Sequence, residues 1–308
     1  EKSLPDIALL APIARALDIS PNTLLSFREQ LPAEELDGIM REIDRRCKES
    51  SYAEAFRWTK KQLEQYPNCE PLILHAAICL DAFRTAQEVP DEAAYDEQIS
   101  ALYRRLLDSE DEGIRLNAAD ALVGFYRRRK QYDQAEQYVR YFSAQNPERK
   151  RKQAQIYADT GRTSEAYRAY EELLYTDYQR VNAEFHGMYL LAVQSGDLER
   201  ARWLTDKQAA LARCFEMGRY YEVSCRLELA TLERDADAVI GTAREMLDSV
   251  QNIWSFCDSP LFEHMQFKQP DPAFVQEMRE NLLQCFRDEE TYGFLAHDRR
   301  WKELTGTT

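Results

Sequence analysis

Small residues recur along this chain at near-constant spacing. Ala135, Ala166, Ala201 and Ala238 stand 31, 35 and 37 residues apart. Each follows a short turn-prone stretch: Tyr132-Asp133-Gln134, Gly161-Arg162-Thr163-Ser164-Glu165, Gly196-Asp197-Leu198-Glu199-Arg200 and Asp235-Ala236-Asp237. Pro67 lies twelve residues after Ala55, and Pro147 twelve after Ala135. A small side chain lets two helices approach closely, and a proline ends the second of them, because it lacks an N–H and clashes with the preceding turn. This spacing predicts a succession of antiparallel helix pairs from about residue 33 onward.

Composition agrees with helices joined by short links. Only 10 Gly and 11 Pro occur in 308 residues, well under the usual share of about 7% and 5%. No run of period-two alternation bounded by turn residues is present, so an all-α fold is expected. Gly161 and Gly196 suit the left-handed residue that closes a helix, and Thr163 and Asp197 suit the cap of the next. Residues 70–110 read as a further pair with Pro90-Asp91 in its loop. Residues 259–308 read as a closing unit with two cap-plus-proline starts, Ser259-Pro260 and Asp271-Pro272. Phe274, Met278, Leu282, Leu283 and Phe286 form its apolar stripe, with Tyr292 to Leu295 and Trp301 folding back over it.

A period close to 34 with these small residues and prolines resembles the tetratricopeptide repeat. Leu122, Tyr126 and Tyr157 match first-helix positions in part, but the Trp-x-x-Leu-Gly signature is missing, so the copies are divergent. The resemblance implies a right-handed superhelical stack of antiparallel helix pairs, a tetratricopeptide-like α-solenoid, whose first helices line a concave face. The repeat register puts Asn117, Asp120, Arg127, Arg128, Arg151, Gln155, His186, Gln194 and Tyr220 on that face. Amides and guanidinium groups there suit the backbone and carboxylates of an extended peptide. The expected division is 1–30, 31–258 for the repeats, and 259–308 for capping helices.

The start of the chain carries a second resemblance. Leu4-Pro5-Asp6-Ile7 runs into Leu9-Leu10-x-x-Ile13-Ala14-x-x-Leu17-x-Ile19-Ser20-x-x-x-Leu24-Leu25. Pro5 and Asp6, then Ser20-Pro21, supply two helix starts, and Ile7, Leu10, Ala14 and Leu17 share one helical face. Pro12 is out of place in a straight helix. The run resembles the second half of the small helix-turn-helix domain of Xre/Cro-type bacterial transcription regulators. In that resemblance the helices that touch DNA precede Glu1, and the chain looks like the ligand-sensing and dimerisation part of such a regulator. It is then similar in layout to the peptide-sensing regulators of Gram-positive quorum systems: a homodimer with a peptide or protein ligand in the groove. A cytoplasmic tetratricopeptide scaffold that binds a protein partner, with no role in transcription, is the alternative.

Charge and motifs narrow the remaining classes. A net charge of −14 disfavours nonspecific attraction to phosphate backbones. The basic clusters Arg127-Arg128-Arg129-Lys130 and Arg149-Lys150-Arg151-Lys152 read as solvated helix ends. No apolar run approaches the roughly 20 residues of a membrane span, and no secretory leader is evident. The seven cysteines, at 47, 69, 79, 214, 225, 257 and 285, are scattered singles that fit a reducing cytoplasm. His75, His186, His264 and His297 are far apart; Cys69 and His75 are close enough to meet across a helix end, but without a ligand spacing neither a metal nor a cofactor is expected. No phosphate loop or nucleophile motif is present, and the adjacent pairs Glu34-Glu35, Glu171-Glu172 and Glu289-Glu290 read as solvated helix faces, so no enzyme activity is expected. On this reading the isolated chain, titrated with duplexes drawn from a randomised pool, gives no sequence-selective gel retardation; selective retardation would oppose it.

Overall fold

The computed structural model describes residues 6–21, 31–87, 89, 92–268 and 271–307. These form α-helices and short 3₁₀ turns, with no strand among the described residues. The chain divides into two compact units, Glu1–Arg149 and Lys150–Thr308.

In the first unit, α1 (Ile7–Ala16) starts at Asp6, whose carboxylate accepts from the Ala8 N–H at 3.0 Å. It continues through Pro12 and buries only Ala14. Its expected apolar face is therefore largely open, with Ile7 82% and Leu17 58% exposed. Pro5 and the helix expected after Pro21 lie outside the described residues. Next come α2 (Ala33–Glu49), α3 (Tyr52–Gln65), α4 (Glu70–Ala86), α5 (Glu92–Arg105), α6 (Glu112–Arg128) and α7 (Tyr132–Val139). Ser51 and Glu54 close α3 with a reciprocal capping box. Asp111 caps α6 by accepting from the Ile114 N–H at 3.1 Å. The helix α4 packs on α2, α3, α5 and α6, and α6 packs on α7. Ala55, Ala76, Ala77, Ala118, Ala119 and Ala135 are fully buried at these contacts. Larger groups fill the gaps they leave: Tyr95 meets Tyr52 and Phe56 with ring centroids 5.0 and 4.8 Å apart, and the Tyr52 hydroxyl donates to the Leu80 carbonyl at 3.0 Å.

The second unit contains α8 (Pro147–Asp159, entering from the unit boundary), α9 (Thr163–Gln194), α10 (Leu198–Cys214), α11 (Arg219–Ser224), α12 (Leu227–Leu232), α13 (Ala236–Ser249), α14 (Pro272–Phe286), α15 (Glu289–Tyr292) and α16 (Arg299–Thr305). The single α9 fills the interval before the Ala201 copy, where the spacing of the small residues predicts two helices. No proline interrupts residues 163–194, and Gly187 has helical neighbours on both sides, so propagation simply continues for about 48 Å. Its contact with α10 buries Tyr189, Ala192, Ala201 and Leu204 together with Leu229. Ala238 is only partly buried; Val239 and Ala243 take the inward positions of that copy, which moves its register by one residue. Phe286, Leu295 and Trp301 close the unit against Val239, Ile240, Met246 and Leu247. Ser259 and Asp271 both cap the starts expected of them, accepting from the N–H groups of Leu261 at 3.0 Å and Ala273 at 2.9 Å. Phe256 and Phe262, on 3₁₀ turns, plug a second cluster with Tyr178, Ala212 and Met217. That burial pushes the Tyr178 hydroxyl up to about 12.

One turn recurs in both units. Between helices joined by described residues, a residue with positive φ is followed by an N–H that reaches back to the carbonyl five residues before it: Gln131 to Tyr126 after Lys130, Arg162 to Tyr157 after Gly161, Asp197 to Ala192 after Gly196, Met217 to Ala212 after Glu216, and Asp235 to Ala230 after Arg234. This bond satisfies a carbonyl at the helix end and fixes how the next helix departs. Asp197 then caps α10, accepting from the Arg200 N–H at 3.0 Å, whereas Thr163 is already inside α9 and makes no cap. Two of these five turns use glycine and three tolerate a charged residue, so the strain differs between them. Lys130→Gly is expected to stabilise the protein by up to about 1 kcal/mol and Gly196→Ala to destabilise it by about 1 kcal/mol, as read from urea unfolding midpoints.

Candidate functional site

The nine residues expected on a ligand-binding face fall into both units. On α6, Ala118, Ala119, Leu122, Val123, Phe125 and Tyr126 are buried, which leaves one stripe of the helix uncovered. Asn117 is exposed there, Asp120 and Arg127 are half-buried, and Arg128 is exposed. Asn117 and Asp120 are three residues apart and Arg127 follows seven further on, so with Arg128 they lie within about 100° on one face of the helix. Gly124 lies between them, and a Cβ there would come within 3.2 Å of the Arg128 guanidinium. The stripe therefore offers an amide, a carboxylate and guanidinium groups along about 16 Å of helix.

Part of this basic cluster is committed to the interior, contrary to the expectation of a solvated helix end. Asp81 on α4 is 4% exposed and accepts from both Arg128 and Arg129. Arg129 also grips Asp96 of α5 in two bonds of 2.5 and 2.6 Å, donates to the Phe125 carbonyl at 2.9 Å, and lies 3.4 Å over the centre of the Phe125 ring. Arg84 pairs with the same Asp96 at 2.6 Å. Burial pushes the Asp81 carboxyl above the ordinary carboxylate range, opposed by Arg128, Arg129 and Arg84. The carboxylates come from helices 30 to 50 positions earlier in the sequence, so no local pattern announced them.

In the second unit, Arg151 and Gln155 are half-buried one turn apart on α8. His186 and Gln194 are exposed on α9, two turns apart, with the exposed Leu190 between them. The His186 ring stacks on Tyr189 at 5.8 Å. Tyr220 differs from the rest: it packs against the Val239 and Phe286 cluster, edge-on to Tyr221, and burial pushes its hydroxyl up. It serves that core, because α11 turns this ring inward.

Two other groupings join distant parts of the sequence, although one of them contains a local signal, His75 and Cys79 one helical turn apart. Glu171 is 5% exposed and accepts from both the backbone N–H of His264 at 2.8 Å and its ring Nδ1 at 2.7 Å, while Tyr167 stacks on the same ring at 4.8 Å. The expected solvated pair Glu171-Glu172 is thus split, with Glu172 reaching Lys150 at 2.5 Å. Adjacent helical residues point about 100° apart, so only one of them could turn inward. In the first unit His75 faces Cys79 and Asp44; Cys69, the partner considered from sequence, instead stands at the cap of α4. Cys79 Sγ and Asp44 Oδ1 both approach the same ring atom, Nε2, so they do not form a relay through the two sides of an imidazole. An apolar pocket of about 350 Å³ opens between α3, α4 and α5, floored by Phe56, Leu63, Leu80 and Leu102 and edged by Lys60 and Arg105.

No protein-family model matches the chain, and neither does any curated protein.

The buried ion network supplies the clearest test of how this region is held. Asp81→Ala removes the buried carboxylate that Arg128 and Arg129 share, leaving Arg129 with Asp96 alone, and is expected to cost about 1.5–3 kcal/mol in urea unfolding, with the α4–α6 region affected first by hydrogen exchange. A loss below about 1 kcal/mol would mean the network is solvated.

Proposed function

We propose that the chain is the ligand-sensing and dimerisation part of an Xre-type transcription regulator, built from divergent tetratricopeptide-like helix pairs, and that it binds a peptide or a protein segment. One observation carries the reading: α6 is packed on its buried side by α4, α5 and α7, while the opposite stripe presents Asn117 exposed, with Asp120 and Arg127 half-buried beside it. Polar side chains on the solvent side of a helix at the centre of a unit suit a partner that brings hydrogen-bonding groups of its own. Arg127 would meet a carboxylate of the ligand, and the Asn117 amide a peptide group from which it both accepts and donates. Arg151, Gln155, His186 and Gln194 offer the same chemistry on the second unit. Arg128 contributes through its bond to Asp81, so it holds the row rather than reaching outward.

Regulation in this proposal follows from linkage. A ligand alters the arrangement of a homodimer only by as much as it prefers one arrangement over the other. No catalytic role, cofactor or membrane contact forms part of the proposal, and any contact with DNA would be made by a separate helix-turn-helix region. Among the described residues no helix is long and apolar enough to cross a membrane.

The test is a binding screen with a fluorescent library of extended six- to eight-residue peptides. Asn117→Ala and Arg127→Ala are each expected to weaken the selected peptides about 5- to 15-fold, the usual loss of one hydrogen bond to a charged or amide group, with helical content unchanged. Peptides that bind equally well to both variants would move the site elsewhere. A chain that selects no peptide but captures one folded protein through these residues would favour the scaffold reading.

A further inference from the structure

We propose that Asp44, His75 and Cys79 form a binding site for a zinc-like divalent transition metal on the first unit. His75 and Cys79 are one turn apart on α4, so both side chains leave the same face, and Asp44 comes across from the packed helix α2. Their donor atoms form a small triangle. Sγ to Oδ1 is 3.0 Å, Sγ to Nε2 is 3.4 Å, and Nε2 to Oδ1 is 3.4 Å.

The triangle has the size of one face of a metal tetrahedron. With bonds of about 2.0–2.1 Å to nitrogen and oxygen and about 2.3 Å to sulfur, neighbouring ligands in tetrahedral geometry lie roughly 3.3–3.6 Å apart. Two edges already match, and the third needs to open by about half an ångström. The convergence of sulfur and oxygen on the same imidazole nitrogen has the same implication. A hydrolytic Cys-His-Asp set would place the carboxylate on the far nitrogen, whereas here all three donors point at a common centre.

Ligand chemistry selects the ion. A thiolate, an imidazole and a carboxylate suit zinc and its neighbours, and exclude calcium and magnesium, which take all-oxygen shells. One thiolate and one carboxylate also neutralise a divalent charge. The hydrogen now shared between Cys79 and Asp44 leaves as a proton when the metal–sulfur bond forms. The His75 and Asp44 side chains are 28% and 42% exposed, so the ion has a path from solvent and its fourth position falls to water. Three protein ligands with an open position distinguish this site from a closed structural one.

The experiment uses the full chain, stripped with chelator and kept reduced, and titrated with cobalt(II). The expected result is one equivalent bound, with the visible bands of tetrahedral cobalt and a near-ultraviolet thiolate charge-transfer band, both erased by one equivalent of zinc. Cys79→Ser should abolish the charge-transfer band. Asp44→Asn, a change at a half-exposed position, should weaken binding by about 100-fold or more while helical circular dichroism stays intact. Asp44→Asn serves as the folding-safe variant if Cys79→Ser fails to fold. Octahedral spectra, binding unaffected by the variants, or transfer of the charge-transfer band to another of the seven cysteines would each overturn the proposal. This outcome is independent of peptide binding at α6.

Discussion

Two helices can lie within about 8 Å of each other only where the side chains between them are small, and this requirement governs both units. Ala55, Ala135 and Ala201 have no exposed surface, and Ala76, Ala77, Ala118 and Ala119 line the contacts of the central helices of the first unit. Such close approach leaves no space for a water molecule, so each inward atom must be apolar or fully partnered. The turns obey the same demand. A positive-φ residue with its back-reaching N–H ends one helix and redirects the chain within two or three residues, whether the residue is Gly161 or Lys130. A longer link would let the pair drift apart and lose the registration of its small residues.

Polar groups inside this framework are arranged by the same logic. Asp81, Asp96, Arg84 and Arg129 are drawn inward because α4, α5 and α6 meet there, and each charge is answered by at least one other. Such a network adds specificity of packing more readily than stability, since desolvation offsets much of the attraction. It also anchors one end of the polar stripe of α6: Arg128 is tied to Asp81 while Asn117, at the other end, remains exposed. The Asp44, His75 and Cys79 triangle sits on the other side of α4, using the remaining face of the same helix. One helix thus connects a buried ionic base to a partly exposed donor set.

How much could be read beforehand differs from element to element. The helix pairs at Ala55, Ala135 and Ala201 were legible because small residues, turn formers and prolines are local signals with fixed spacing. The caps at Asp197, Ser259 and Asp271 were legible for the same reason. The uninterrupted α9 was not, since a missing proline is weaker evidence than a present one. Lys130, Glu216 and Arg234 hid three copies of the recurring turn, because a left-handed backbone is announced by glycine and tolerated silently by other residues.

The amino-acid sequence by itself determined that this protein is helical, paired and rich in short turns, because helix propensity, capping and small-residue spacing act within a few turns of the chain. Tertiary structure alone decided which charges are buried and which donors meet. Arg129 reaches Asp96 across 33 residues, Cys79 reaches Asp44 across 35, and His264 reaches Glu171 across 93. Each pairing depends on the angle and offset at which whole helices dock. Those quantities are set by the summed packing of many side chains, and they leave no periodic trace at the residues that come together.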